Sequence, residues 1–174
     1  MKKLTVFAVL FATPFALLAG EPIDRTLDAD PEGSVNMSLV RGAVKVKGWD
    51  RPNVQVEGTL DDQTRELVFE RDGNEIILKV KLEDGSSRGK ESKLTVNIPV
   101  GSRLDASSVS ADFQIACIEG AIDIQSISGY MVLSALGSGV EVKNVSGDVS
   151  VESATDQIKI SSVSGDISIN SDAS

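Results

Sequence analysis

Val109 to Ser171 read VSADFQIAC IEGAIDIQS ISGYMVLSA LGSGVEVKN VSGDVSVES ATDQIKISS VSGDISINS, seven nine-residue units without a gap. The shared template is apolar–x–Gly–x–apolar–x–apolar–x–small. A unit this short cannot bury an apolar face alone, so units must stack into a coil. A longer period lies inside the shorter one. Val109-Ser-Ala-Asp112, Ile127-Ser-Gly-Tyr130, Val145-Ser-Gly-Asp148 and Val163-Ser-Gly-Asp166 recur every eighteen residues. Odd and even units therefore differ, which predicts two units per turn.

The fifth and seventh positions form the pairs Phe113/Ile115, Ile122/Ile124, Met131/Leu133, Val140/Val142, Val149/Val151, Ile158/Ile160 and Ile167/Ile169, all fourteen apolar. Between them stand Gln114, Asp123, Val132, Glu141, Ser150, Lys159 and Ser168. This alternation predicts strands with one buried face, and all fourteen side chains are expected in the core. The small third position supplies the bend, where positive φ is needed. The small ninth position (Cys117, Ser126, Ala135, Asn144, Ser153, Ser162, Ser171) lets the corner close. The fold class predicted is all-β: a β-solenoid, or single-stranded β-helix, of nine-residue units with two per 18-residue coil.

The same register runs upstream through 100–108, 40–48 and 31–39, and Trp49 to Gly58 reads as a further unit with one inserted residue, a bulge. The expected organisation is a signal peptide at 1–20 and one β-solenoid domain at 21–174. Within it, 31–58 form the first coils, 59–99 a strand and hairpin interruption or cap, and 100–171 the regular array. Glu66–Glu70 and Glu75–Lys81 read as strands joined by the hairpin signal Arg71-Asp72-Gly73-Asn74. Asp84–Ser92 reads as a polar loop, and Leu94, Val96 and Ile98 alternate as a strand that Pro99 ends. Lys2 and Lys3 followed by the apolar Leu4–Ala19 have the form of a secretory signal peptide, cleaved near Ala19 or Gly20. Glu21 stands where a lipoprotein would have Cys, which excludes lipidation. An uncleaved anchor is the alternative.

The chain carries a formal net charge of −9. Residues 104–174 have two basic residues, Lys143 and Lys159, against ten acidic ones. Nucleic acid is excluded as a partner, since phosphate binding needs clustered positive charge. There is no His, which removes the commonest general base and metal ligand. Cys117 is the one cysteine. It has no His to activate it and falls in a column of small corner residues. Pectinase-type β-helices build a cleft from long loops, for which nine-residue units leave no room. Aromatic residues for sugar stacking are few: Trp49, Phe69, Tyr130 and Phe113, of which Phe113 is assigned to the core and Trp49 to a cover over the solenoid end. No catalytic residue and no cofactor are expected.

Two sets of residues remain as candidates. Asp112, Asp148 and Asp166 share the fourth position of odd units, and Asp148 and Asp166 lie on neighbouring coils, about 4.8 Å apart. Paired carboxylates could bind a cation, but Ser-Gly-Asp is ordinary turn chemistry. The Gly-Gly-x-Gly-x-Asp loops of calcium β-rolls are missing. The second set is basic: Arg41, Lys45, Lys47 and Arg51 read as a patch suited to lipopolysaccharide or an acidic partner.

The run Val44 to Gly58 (VKVKGWDRPNVQVEG), then Val96-Asn-Ile-Pro-Val-Gly101, then the recurring Val-Ser-Gly-Asp units resemble the bacterial "putative adhesin" domain-of-unknown-function family of exported β-solenoids, over nearly all of the chain. The resemblance implies export and a β-helix-like solenoid, and it brings no catalytic residues. The chain departs from the pattern at Ala111, Tyr130 and Ala154-Thr155-Asp156. The expected function is a non-enzymatic binding or scaffolding module of the periplasm or cell surface, with an envelope protein or surface polymer as partner. Two alternatives are an accessory or sensory component of an envelope-stress system and a carbohydrate-active β-helix enzyme. The strand Asp166–Ser171 is expected to expose an unpaired edge, giving weak self-association.

Overall fold

The computed structural model describes residues 22–85, 90–152 and 157–170, and the signal-peptide, Ala154–Asp156 and Ser171 expectations lie outside them. Thirteen strands and no helix occur among these residues. In chain order they are β1 (Pro22–Asp28), β2 (Ser34–Trp49), β3 (Asn53–Thr59), β4 (Thr64–Asp72), β5 (Glu75–Leu82), β6 (Ser92–Pro99), β7 (Arg103–Ile118), β8 (Ile122–Ser128), β9 (Met131–Leu136), β10 (Val140–Ser146), β11 (Val149–Glu152), β12 (Ile158–Ser164) and β13 (Ile167–Asn170).

From β7 onward the pairing is parallel at a shift of eighteen residues: Leu104 beside Ile122, Ile122 beside Val140, Val140 beside Ile158, and likewise Phe113 beside Met131, Met131 beside Val149, Val149 beside Ile167. Each turn contributes one strand to each of two runs. One run is β5, β2, β7, β8, β10, β12, using the first halves of β2 and β7. The other is β6, β2, β7, β9, β11, β13, using the second halves. The inward side chains of both runs form one hydrophobic cluster. The corner inside β2 falls at Val40–Arg41, where the buried positions change from odd to even numbers. A strand must change parity there to keep its apolar residues inside after turning.

The columns of the array point inward as the alternation predicts, from Phe113 through Val151. The last coil is a correction: Ile158 and Ile160 are only half-buried, while Ile167 and Ile169 are exposed. No further described strand covers them.

Three upstream expectations also change. Trp49 to Gly58 is not a bulged parallel unit. Its chain turns at Asp50–Pro52, and β3 runs antiparallel to β6, with Val56 beside Val96. β1, which no sequence pattern marks, adds a further antiparallel strand on β3. Residues 59–99 are more than an interruption. The hairpin of β4 and β5 turns between Asp72 and Glu75, and β5 and β6 then complete a coil outside β2. Hence the coil of β2 comes earlier in sequence but second in space. Its two flanks are β5/β6 on one side and β7 on the other.

Candidate functional site

The first position of the nonapeptide, apolar in every unit, has two opposite fates. In even units Ile118 and Leu136 are buried, at 0 % and 3 % exposure. In odd units Val109, Ile127, Val145 and Val163 are exposed at 47 %, 54 %, 47 % and 82 %. The cause is local. On the odd side alternation runs through the corner undisturbed: Val140, Val142 and Asn144 point in, so Val145 points out. The direction changes only afterwards, at Gly147 with φ 117°. In the other corner the change precedes the first position, at Cys117 with φ 58°, and the next side chain, Ile118, turns inward.

Registers place these residues in one line. Leu39 and Arg41 lie beside Ser108 and Ser110, which sets Val40 beside Val109. Ser108 and Ser110 lie beside Ser126 and Ser128, which sets Val109 beside Ile127. The same step carries the line to Val145 and Val163. At the strand spacing of about 4.8 Å, the five form an apolar ridge along the corner. From Val109 onward its flanking columns are Ser108, Ser126, Asn144 and Ser162 on one side and Ser110, Ser128, Ser146 and Ser164 on the other, none charged. Several hold the corner itself. Ser108 and Ser126 share a hydrogen bond of 2.7 Å between their Oγ atoms. Ser126 Oγ donates to Ser128 O at 2.9 Å, Asn144 Nδ2 to Gly147 O at 3.0 Å, and Ser162 Oγ to Ser164 O at 3.1 Å. The ridge therefore stands on a braced backbone. Its signal was in the sequence, as a column of Val and Ile followed at once by Ser-Gly, but the template alone does not say which way that column faces.

The basic candidates divide. Lys45 and Lys47 are exposed on the outward side of the second half of β2, and Arg51 stacks on the Trp49 ring, 4.8 Å from its centre. Trp49 Nε1 donates to Asn53 O at 2.9 Å, so the indole braces the turn from β2 to β3. It does not cover the solenoid end, because β6 lies outside it with Pro99 at its side. Arg41 leaves the proposed patch altogether. Its Nε donates to Oδ2 of the fully buried Asp61 at 2.6 Å, and Nη2 donates to Gln63 Oε1 at 3.1 Å. Burial pushes the Asp61 pKa up. Hydrogen bonds from Arg41 and from the Gln63 N–H, with the Arg41 charge, outweigh it and hold the carboxyl below the usual range. Asp61 N in turn donates to Ser92 Oγ at 2.9 Å. This is a structural lock between the corner of β2 and the start of β6.

The aspartate column is also spent on structure. Asp148 Oδ1 accepts the N–H of Asp166 at 3.0 Å, and Asp112 Oδ1 accepts the N–H of Tyr130 at 2.8 Å. Among the described residues no group of three Cys, Asp or Glu is disposed to hold a metal ion. A second acidic column went unremarked in the sequence: Asp105, Asp123 and Glu141 on the outward face of β7, β8 and β10. Asp105 is bound by Arg103 at 2.9 Å, and Glu141 by Lys143 at 2.9 Å and Lys159 at 3.0 Å. Hydrogen bonds from both lysines hold the Glu141 pKa below the usual range. A carboxylate kept ionised in this way is a poor proton donor. Asp123 and Glu141 lie in an open depression with Arg103, Gln157 and Lys159.

The model of the Toastrack DUF4097 family matches residues 36–174. No curated protein matches the chain. Among solved structures, a "putative cell adhesion protein" from Clostridium sporogenes is similar, with TM-score 0.59 and 11 % identity over 86 % of this chain and 99 % of its own. A "putative adhesin" from Bacteroides fragilis aligns with TM-score 0.32 and 11 % identity, over 88 % of this chain and 99 % of its own. The first of these shows a shared fold.

Proposed function

The chain belongs to the Toastrack DUF4097 family, and on that premise we propose that it is an exported, non-enzymatic, adhesin-like binding module of the bacterial envelope. Its repeating element is the coil of two nine-residue units. The observation that carries the reading is the ridge of Val40, Val109, Ile127, Val145 and Val163. A chain that only had to stay soluble would place polar residues in a column this exposed. From Val109 onward the margin of this apolar line is uncharged, which is the form of a contact surface. The partner is an envelope protein or surface polymer with an apolar face. The name borne by the Clostridium sporogenes structure agrees with this. Lys45, Lys47 and Arg51 supply a separate basic strip, suited to guiding the module toward an acidic envelope surface.

The test is retention of the purified protein on separated envelope fractions, comparing the native chain with Ile127→Ser/Val145→Ser and with Lys45→Glu/Lys47→Glu. The ridge variant is expected to lose retention while melting as the native protein does. The basic-strip variant is expected to bind more weakly, with less dependence on salt. Unchanged retention of the ridge variant overturns the reading.

A further inference from the structure

We propose that the coil of β12 and β13 is a self-pairing end, at which two copies of this chain join strand edge to strand edge about a two-fold axis. This uses residues other than the ridge column and stands independently of the binding function.

The argument begins with the backbone. Val140 N–H donates to Gln157 O at 2.8 Å and Val149 N–H to Asp166 O at 2.9 Å. Backbone groups alternate in direction along a strand. Those of Lys159, Ser161, Ser168 and Asn170 therefore face the preceding coil. Those of Ile158, Ile160, Ile167 and Ile169 face away from it, where no described strand receives them. The same four side chains continue the core columns. Ile167 and Ile169 are 44 % and 48 % exposed, where Val149 and Val151 one coil earlier are at 1 % and 0 %. Among the described residues, backbone edge and apolar surface are thus open at one place.

The shape of this end selects its occupant. A partner must offer two strand edges at the separation of these two, with apolar side chains between them. The same coil of a second copy meets both conditions by identity, and a two-fold axis makes the contact close on itself. That axis pairs the strands antiparallel. The protein already extends its sheets in this way at the other end, with β4 on β5 and β3 on β6. Charge permits the approach. Residues 157–170 carry only Lys159 and Asp166, on a chain of net charge −9. Only four isoleucines are covered, so the dimer is weak and reversible.

Proline at Ser168 would damage the ladder to β11, because that N–H faces inward, so charge is the better probe. An inward-pointing charge blocks edge pairing. Ile169→Lys and Ser168→Lys place the same charge on neighbouring residues of one strand, facing the open core and the outer surface. Sedimentation equilibrium over a concentration series should show a monomer–dimer equilibrium for the native protein and for Ser168→Lys. For Ile169→Lys the dissociation constant should rise at least about tenfold. Hydrogen exchange of the native protein needs no variant. The amides of Ile158, Ile160, Ile167 and Ile169 should slow as concentration rises. A monomer at every concentration, a dimer untouched by Ile169→Lys, or concentration-dependent protection confined to other strands overturns the proposal.

Discussion

Asp148 Oδ1 accepts the backbone N–H of Asp166 at 3.0 Å, one coil onward. Residues with nearly the same neighbours in sequence thus serve each other as acceptor and donor. The bond recurs from Asp112 to Tyr130 N, so Tyr130 can receive it but cannot pass it on to Asp148. The column is a row of braces between turns, which gives its carboxylates an occupation other than binding a cation.

Millimolar calcium is accordingly expected to leave the melting temperature of the native protein nearly unchanged. Asp148→Ala should lower it, because one exposed hydrogen bond worth about 1 kcal/mol of stability is lost. A rise of many degrees with calcium, abolished in Asp148→Asn/Asp166→Asn, would show a metal site.

Val149 is 1 % exposed and Ser150 is half-exposed on the opposite face of the same strand. Val149→Asp buries a charge without a partner and should abolish cooperative unfolding. Ser150→Asp should change stability by less than about 1 kcal/mol. Thermal melts of equal size would contradict the register.

Gly147 has φ 117°, and a Cβ there would lie 2.2 Å from Gly129 O in the preceding coil. Backbone conformation and available space both exclude a side chain. Gly147→Ala should cost at least about 2 kcal/mol, measured by denaturant unfolding; Gly73→Ala at the open hairpin turn, with φ 60° but no atom within 4 Å to meet, should cost less, from backbone strain alone.

Asp61 titrates below the ordinary 3.8 in the folded protein. A lowered folded pKa gives stability that is present above the unfolded value and lost as pH falls through the folded one. Asp61→Asn should therefore melt several degrees below the native protein at neutral pH, and the gap should narrow as the medium is acidified below 3.8. A gap that stays constant would mean the charge on Asp61 contributes nothing.

The columns at the fifth and seventh positions were legible because burial of one strand face writes a period of two, and stacking writes a period of eighteen. Neither period records strand direction. Val54 and Val56 alternate equally well in a parallel unit or in the antiparallel β3, so Trp49 to Gly58 misleads unless Asp50-Arg51-Pro52-Asn53 is taken as a turn. β1 has only Ile23 fully buried and Leu27 packed at the margin, too little for a pattern. Arg41 looks like its basic neighbours because its partner, Asp61, is twenty residues away. The ridge was visible as a column but not as a surface, since facing is decided by where the chain reverses parity, at Cys117 in one corner and at Gly147 in the other.

That reversal supplies the most direct measurement. Leu136 and Val145 both occupy the first position of the nonapeptide, one inside and one on the ridge. Each is replaced by Ser, and both melting and retention on envelope fractions are measured. Leu136→Ser should lose about 2–4 kcal/mol of stability while its folded fraction is retained as before. Val145→Ser should melt like the native protein and be retained less. If Val145→Ser destabilises the fold as Leu136→Ser does, or if it is retained unchanged, the ridge is not the outward binding surface described.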